Sequence, residues 1–84
     1  RRRRFVVDFA GDKLAAAKPP EIVPNLWASN NGISNVRLIP GAGGKVTRVV
    51  FDLDTGNESL IELRLNLKNG DTPLTETWLY RWTS

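Results

Sequence analysis

Asp52 and Asp54 are the first residues in this 84-residue chain whose types and spacing suggest chemistry. On a strand, residues two apart share a face with their side chains roughly 6 to 7 Å apart, close to the carboxyl separation of glycoside hydrolases. Hydrolysis would need one of the two to be a raised-pKa acid, and no sequence neighbour supplies the desolvation or like charge for that. The expectation is therefore a pair of solvated carboxylates at a strand end, with no catalytic set.

The run Asp52-Leu53-Asp54-Thr55-Gly56-Asn57 opens like a calcium loop, but that pattern needs Gly at its sixth position and Glu at its twelfth, where this chain has Asn57 and Leu63. Gly41-Ala42-Gly43-Gly44-Lys45-Val46-Thr47 has the flavour of a phosphate loop. Ile39 stands where its first Gly is required and Val46 where Ser or Thr must follow the Lys, so a hairpin loop is expected. Asn57-Glu58-Ser59 fits a glycosylation sequon, a three-residue pattern that recurs by chance and matters only in a eukaryotic secretory setting. Cysteine and histidine are absent, which removes disulfides, thiolate or imidazole metal ligands, and every nucleophile-base pair built on them. No cofactor, no metal and no enzymatic activity are expected of the chain by itself.

Trp27, Trp78, Tyr80 and Trp82 are the remaining candidates for contact chemistry. Exposed flat rings stack on the apolar faces of sugars, which would make a stand-alone carbohydrate-binding module. A domain this small also needs large side chains to close its core, and core or interdomain packing is the preferred reading of the four rings. Arg81, between Tyr80 and Trp82, would offer a donor at the rim.

Composition narrows the partners. The formal charge is +3, but four of the basic residues are Arg1 to Arg4; the other eight Lys and Arg face nine Asp and Glu, so the rest of the chain is slightly acidic. The basicity reads as a terminal arm, and no nucleic-acid partner is expected. The longest uninterrupted apolar run, Leu14 to Ala17, is far short of a membrane span, so no membrane insertion is expected. Arg1 to Arg4 imitate a basic leader, yet Asp8 occupies what would be the apolar leader core and no starting Met is present. A piece of a longer protein is expected.

The elements that would position these residues read as strands. Phe5, Val7 and Phe9 alternate over residues 5–9. Residues 14–18 are too short for more than one helical turn ahead of Pro19-Pro20. Residues 22–29 are extended, with Pro24 demanding an edge or a bulge. Asn30-Asn31-Gly32 signals a hairpin into residues 33–39, and the glycine-rich stretch Pro40 to Gly44, expected to be the most flexible, leads through a second hairpin into residues 45–53. In residues 61–68, Ile61, Leu63, Leu65 and Leu67 alternate with Glu62, Arg64, Asn66 and Lys68; in residues 76–83, Trp78, Tyr80 and Trp82 share one side. Strands at this spacing without a useful helix predict an all-β fold. We expect one immunoglobulin-like β-sandwich of about six to seven antiparallel strands over residues 1–84, with a small barrel as the alternative.

Two segments carry a family resemblance. Arg3-Arg4-Phe5-Val6-Val7-Asp8-Phe9-Ala10-Gly11 and Glu76-Thr77-Trp78-Leu79-Tyr80-Arg81-Trp82 resemble the C-terminal domain of the periplasmic glucan biosynthesis proteins G and D, and the strand spacing between them is similar. The resemblance implies a periplasmic parent that takes part in making osmoregulated, β-1,2-linked glucans in a Gram-negative bacterium. It further implies a large N-terminal β-sandwich with the acidic glucan cleft, joined by a short linker to this smaller immunoglobulin-like domain. The partner would be that N-terminal sandwich, and β-glucan itself if the groove extends this far. Trp27, Trp78, Tyr80, Arg81 and Trp82 are then the candidate interdomain or glucan contacts. The resemblance also makes Arg3 and Arg4 the entry to the first strand, where composition alone suggested an arm.

Overall fold

A computed structural model describes residues 1–41 and 44–84, except for the side chain of residue 19. The elements are β1 (Arg2–Ala10), α1 (Asp12–Ala16), a 3-10 turn (Pro19–Glu21), β2 (Val23–Ala28), β3 (Ile33–Pro40), β4 (Val46–Asp54), β5 (Leu60–Asn69), β6 (Thr72–Pro73) and β7 (Trp78–Thr83). They form two antiparallel sheets, one ordered β1-β4-β3 and the other with β5 between β2 and the β6 and β7 segments. The expected all-β sandwich is observed. Its strand pairing reproduces the B-E-D and C-F-G ribbons of an immunoglobulin sandwich.

The inward alternation read for residues 5–9 and 61–68 is observed. Val49, Phe51 and Leu53 of β4 and Ile61, Leu63, Leu65 and Leu67 of β5 are fully buried between the sheets, joined by Val7 and Phe9 of β1. Each sheet thus buries one face of its central strand. Helix α1 is short, as expected, and is held from outside: Leu14 inserts into the core with 1% of its surface exposed. Tertiary packing stabilises a helix that could not persist in isolation. Pro24 lies on the edge strand β2, opposite Leu67, where a missing donor is tolerated. The segments β6 and β7 are one interrupted strand along β5. Between them the Leu67 carbonyl accepts from Leu74, and the Leu67 N–H donates to the Thr75 hydroxyl at 3.1 Å, so the ladder is bridged by a side chain.

Two expectations are corrected. Asn30-Asn31-Gly32 does not close a hairpin; it carries the chain from β2 in one sheet to β3 in the other. The Asn30 amide donates to the Asp54 carbonyl at 2.8 Å while its oxygen accepts from Gly32, so the turn is tied to the end of β4. Local turn chemistry is the same for a hairpin and a crossing, and pairing with β5 and β4 decides between them. Arg2 to Arg4 are not an arm either. They lie in β1 opposite Asp54, Leu53 and Asp52, and opposite charges across the ladder hold the basic run extended. The second hairpin, β3 to β4, is antiparallel as read. The flexibility expected of Pro40 to Gly44 falls on residues 42 and 43, which lie outside the described residues.

Gly32 packs so closely that an added Cβ would collide with the Asp54 carbonyl oxygen. Gly32→Ala is expected to cost about 1–3 kcal/mol, the usual penalty of overpacking, measured by urea denaturation. A melt matching the parent chain would refute the tight crossing.

Candidate functional site

The two faces of the second sheet separate aromatic residues that are alike in type. Trp78, Tyr80 and Trp82 pair with Leu65, Leu63 and Ile61 and so point into the sandwich. There Phe5 stacks on Phe51 at 5.2 Å and meets Trp78 and Tyr80 edge-on at 6.2 and 5.6 Å, while Trp78 and Tyr80 stack at 5.5 Å. Phe51 also meets the Trp78 edge at 6.5 Å, so one aromatic cluster ties the two sheets together.

Trp27 lies on the opposite, outer face. In β2, Leu26 and Ala28 pack inward, which sends Trp27 outward. The register places Trp27 beside Arg64 and Arg64 beside Leu79, a row across β2, β5 and β7. The Arg64 guanidinium lies 4.3 Å from the centroid of the Trp27 ring, a cation-π contact that covers part of the surface a sugar would stack upon. Leu79 is 68% exposed, Trp27 41%. In the next row Arg81 reaches Glu62 at 3.7 Å, and Glu62, Arg64, Leu79, Tyr80 and Arg81 line a shallow depression. Arg64 and Leu79 were not singled out in the sequence. Alternation marked both as facing away from the core side, but only register puts them beside Trp27.

The outer face of the first sheet is a ladder of opposed charges. Arg4 Nε donates to Asp52 at 3.0 Å, and Arg48 grips Asp8 through Nε at 2.8 Å and Nη2 at 3.0 Å. Between these pairs Val6 faces Val50. Asp52 is 2% exposed, not the solvated group expected; Asn35, held in a left-handed bulge at φ 53°, donates to its second oxygen at 2.9 Å. A buried carboxylate is tolerated because both oxygens are bonded. The Arg4 hydrogen bond, then that of Asn35, pulls the Asp52 pKa below its ordinary value. Asp54 is drawn down chiefly by the Gly56 N–H, and Asp8 by Arg48. Neither member of the Asp52/Asp54 pair has the raised pKa of a general acid. Among the described residues no cluster of three or more His, Cys, Asp or Glu is placed to hold a metal, and no helix is long and apolar enough to cross a membrane.

The sign of the pH dependence follows. A folded pKa below the unfolded one stabilises the fold above the ordinary carboxylate value of about 4, and that contribution is lost as pH falls through the folded pKa. Asp52→Asn is expected to lower the urea midpoint at neutral pH, with the gap from the parent chain closing in acid. A gap that stays constant down to the acid limit would show that the Asp52 charge is not linked to folding.

A family profile described as periplasmic glucan biosynthesis protein, MdoG, matches residues 1–82. Similar proteins include glucans biosynthesis protein D 1 of Ralstonia nicotianae, 43% identical over 82 residues, covering 95% of this chain and 15% of the relative. Glucans biosynthesis protein G of Shewanella sp. (strain W3-18-1) is 42% identical over 83 residues, covering 98% of this chain and 15% of the relative. That of Bradyrhizobium diazoefficiens is 34% identical over 79 residues, 94% of this chain and 16% of the relative. The chain thus spans about one-seventh of the length of these relatives.

Proposed function

The chain belongs to the periplasmic glucan biosynthesis protein family, MdoG, and on that premise we propose that it is the C-terminal accessory domain of a longer periplasmic protein that takes part in making glucans. Its role is to pack against the larger, N-terminal part of that polypeptide and hold its orientation; it performs no chemistry of its own. The observation that carries this reading is the share of length: relatives named for glucan biosynthesis contain this unit as 15% of their chain. The row Trp27, Arg64, Leu79 supports it, because a single sheet face presenting a half-exposed Trp and a largely exposed Leu around a cation has the aromatic and Arg enrichment of interface cores.

The test uses the full-length protein and the same protein with a protease site placed ahead of this domain. After cleavage the two parts are expected to co-elute, and Leu79→Asp is expected to separate them while the domain keeps its fold. Independent elution of the uncharged parent parts would overturn the reading. Tryptophan fluorescence of the isolated chain is expected to be unchanged on titration with β-1,2-glucan; a saturable change would instead favour a carbohydrate-binding module. Fractionation is expected to place the parent in the periplasm.

A further inference from the structure

On one lateral side of the sandwich β1 lies over β7, and the gap between them is not closed. Phe5 of β1 and Tyr80 of β7 both point between the sheets and touch at 5.6 Å, yet Tyr80 keeps 46% of its surface exposed. The backbone of β1 is open on the same side. The Arg1 carbonyl accepts from the Thr55 N–H at 2.9 Å, and the register runs unbroken from Arg2 opposite Asp54 to Ala10 opposite Val46. Odd-numbered residues of β1 therefore bond to β4, while the N–H and C=O groups of Arg2, Arg4, Val6, Asp8 and Ala10 face away from it.

Edge strands are ordinarily blunted by proline, bulges or inward charges. The edges of β2 and β3 are blunted in this way. Ser29 N–H bonds the Glu62 carbonyl, so by alternation the donor that Pro24 lacks is on the open edge of β2. The edge of β3 carries a register shift between Ser34 and Arg37, the left-handed Asn35, and Pro40. By contrast β1 is 9 residues long with no proline, glycine or bulge, and its Arg4 and Asp8 side chains are held by Asp52 and Arg48 of β4. The immunoglobulin sheet that β1-β4-β3 matches has a fourth strand outside the position of β1, and none of the described residues fills it.

We propose that the free edge of β1 receives an additional antiparallel strand, contributed by the polypeptide immediately upstream of Arg1 in the longer protein, which completes a four-stranded sheet and covers Phe5 and Tyr80. The inference rests on the reading of this chain as a domain of a longer protein. Arg1 sits at the outer start of β1, so a short turn ahead of it brings the incoming chain back along the open edge. What joins the two domains is then part of the fold of this one rather than a loose tether, and the orientation of the pair is fixed by a shared sheet.

Hydrogen exchange resolved to single amides tests this on the 84-residue chain, on the chain extended upstream by about 15 of its own encoded residues, enough for one strand and a turn, and on the full-length protein. The Val6 and Asp8 amides are expected to exchange quickly in the first and at least about tenfold more slowly in the other two, as a newly bonded edge strand requires. The Val7 amide, already bonded to β4, is expected to change least. An extended chain that folds while the shorter one does not supports the same conclusion. Slowing that appears only in the full-length protein would overturn the proposal, because another part of the protein then covers the edge. Slowing already present in the shorter chain, with the mass of a dimer, would overturn it in favour of a second copy. Failure of the accessory-domain reading would appear elsewhere, as unchanged exchange around Trp27 and Leu79 between the extended and full-length proteins.

Discussion

Phe51→Ala is expected to remove about 3–5 kcal/mol of stability, the cost of deleting a buried aromatic ring. A domain of this length has a total of about 4–13 kcal/mol, so the loss takes from about a quarter of that stability to all of it. Phe51 sits at the middle of β4, the central strand of its sheet, with no exposed surface. Its ring stacks on Phe5 of the neighbouring strand and meets Trp78 of the opposite sheet, so truncation opens a cavity where both sheets converge. Urea denaturation followed by tryptophan fluorescence measures the loss. A cost under about 1 kcal/mol would mean that the site collapses freely and that the aromatic cluster does not clamp the sheets.

The second large effect is a contrast. Trp78→Ala is expected to cost about 3 kcal/mol, the low end for a buried aromatic because Trp78 is only partly buried. Trp27→Ala is expected to cost no more than about 1 kcal/mol, the range of an exposed cation-π contact such as that with Arg64. Both are tryptophans in edge strands pairing with β5, so composition does not distinguish them. What separates them is the face: one ring contacts Phe5, Phe51 and Tyr80 between the sheets, the other lies outside. In the full-length protein the order should change for association, with Trp27→Ala weakening domain packing more than its small effect on stability suggests. Equal stability losses for the two variants would contradict the assignment of faces.

Several features were legible without coordinates. The alternation of Ile61, Leu63, Leu65 and Leu67 needed no partner strand to be identified, because a period of two leaves one side of any extended segment apolar. Pro24 restricts its strand to an edge or a bulge, since a regular central strand cannot lose a donor. The candidate site was less legible. By residue type Trp27 groups with the rings of β7, yet Leu26 and Ala28 occupy the inward positions of β2 and turn the indole outward. Asp52 looked solvated because its burial depends on Arg4, 48 residues away in the chain.

Within each strand, then, the amino-acid sequence alone determined which side chains share a side, where the chain turns, and that the product is two packed sheets. Those properties depend on neighbours a few residues apart and on steric preferences that operate locally. Which strands pair, whether Asn30 to Gly32 folds back or crosses over, which carboxylate is enclosed and which edge stays open were decided by the tertiary structure. Each of these depends on register between segments distant in sequence, where hydrogen bonding and burial are satisfied for the whole sandwich at once and a shift of one residue would turn every side chain to the other face.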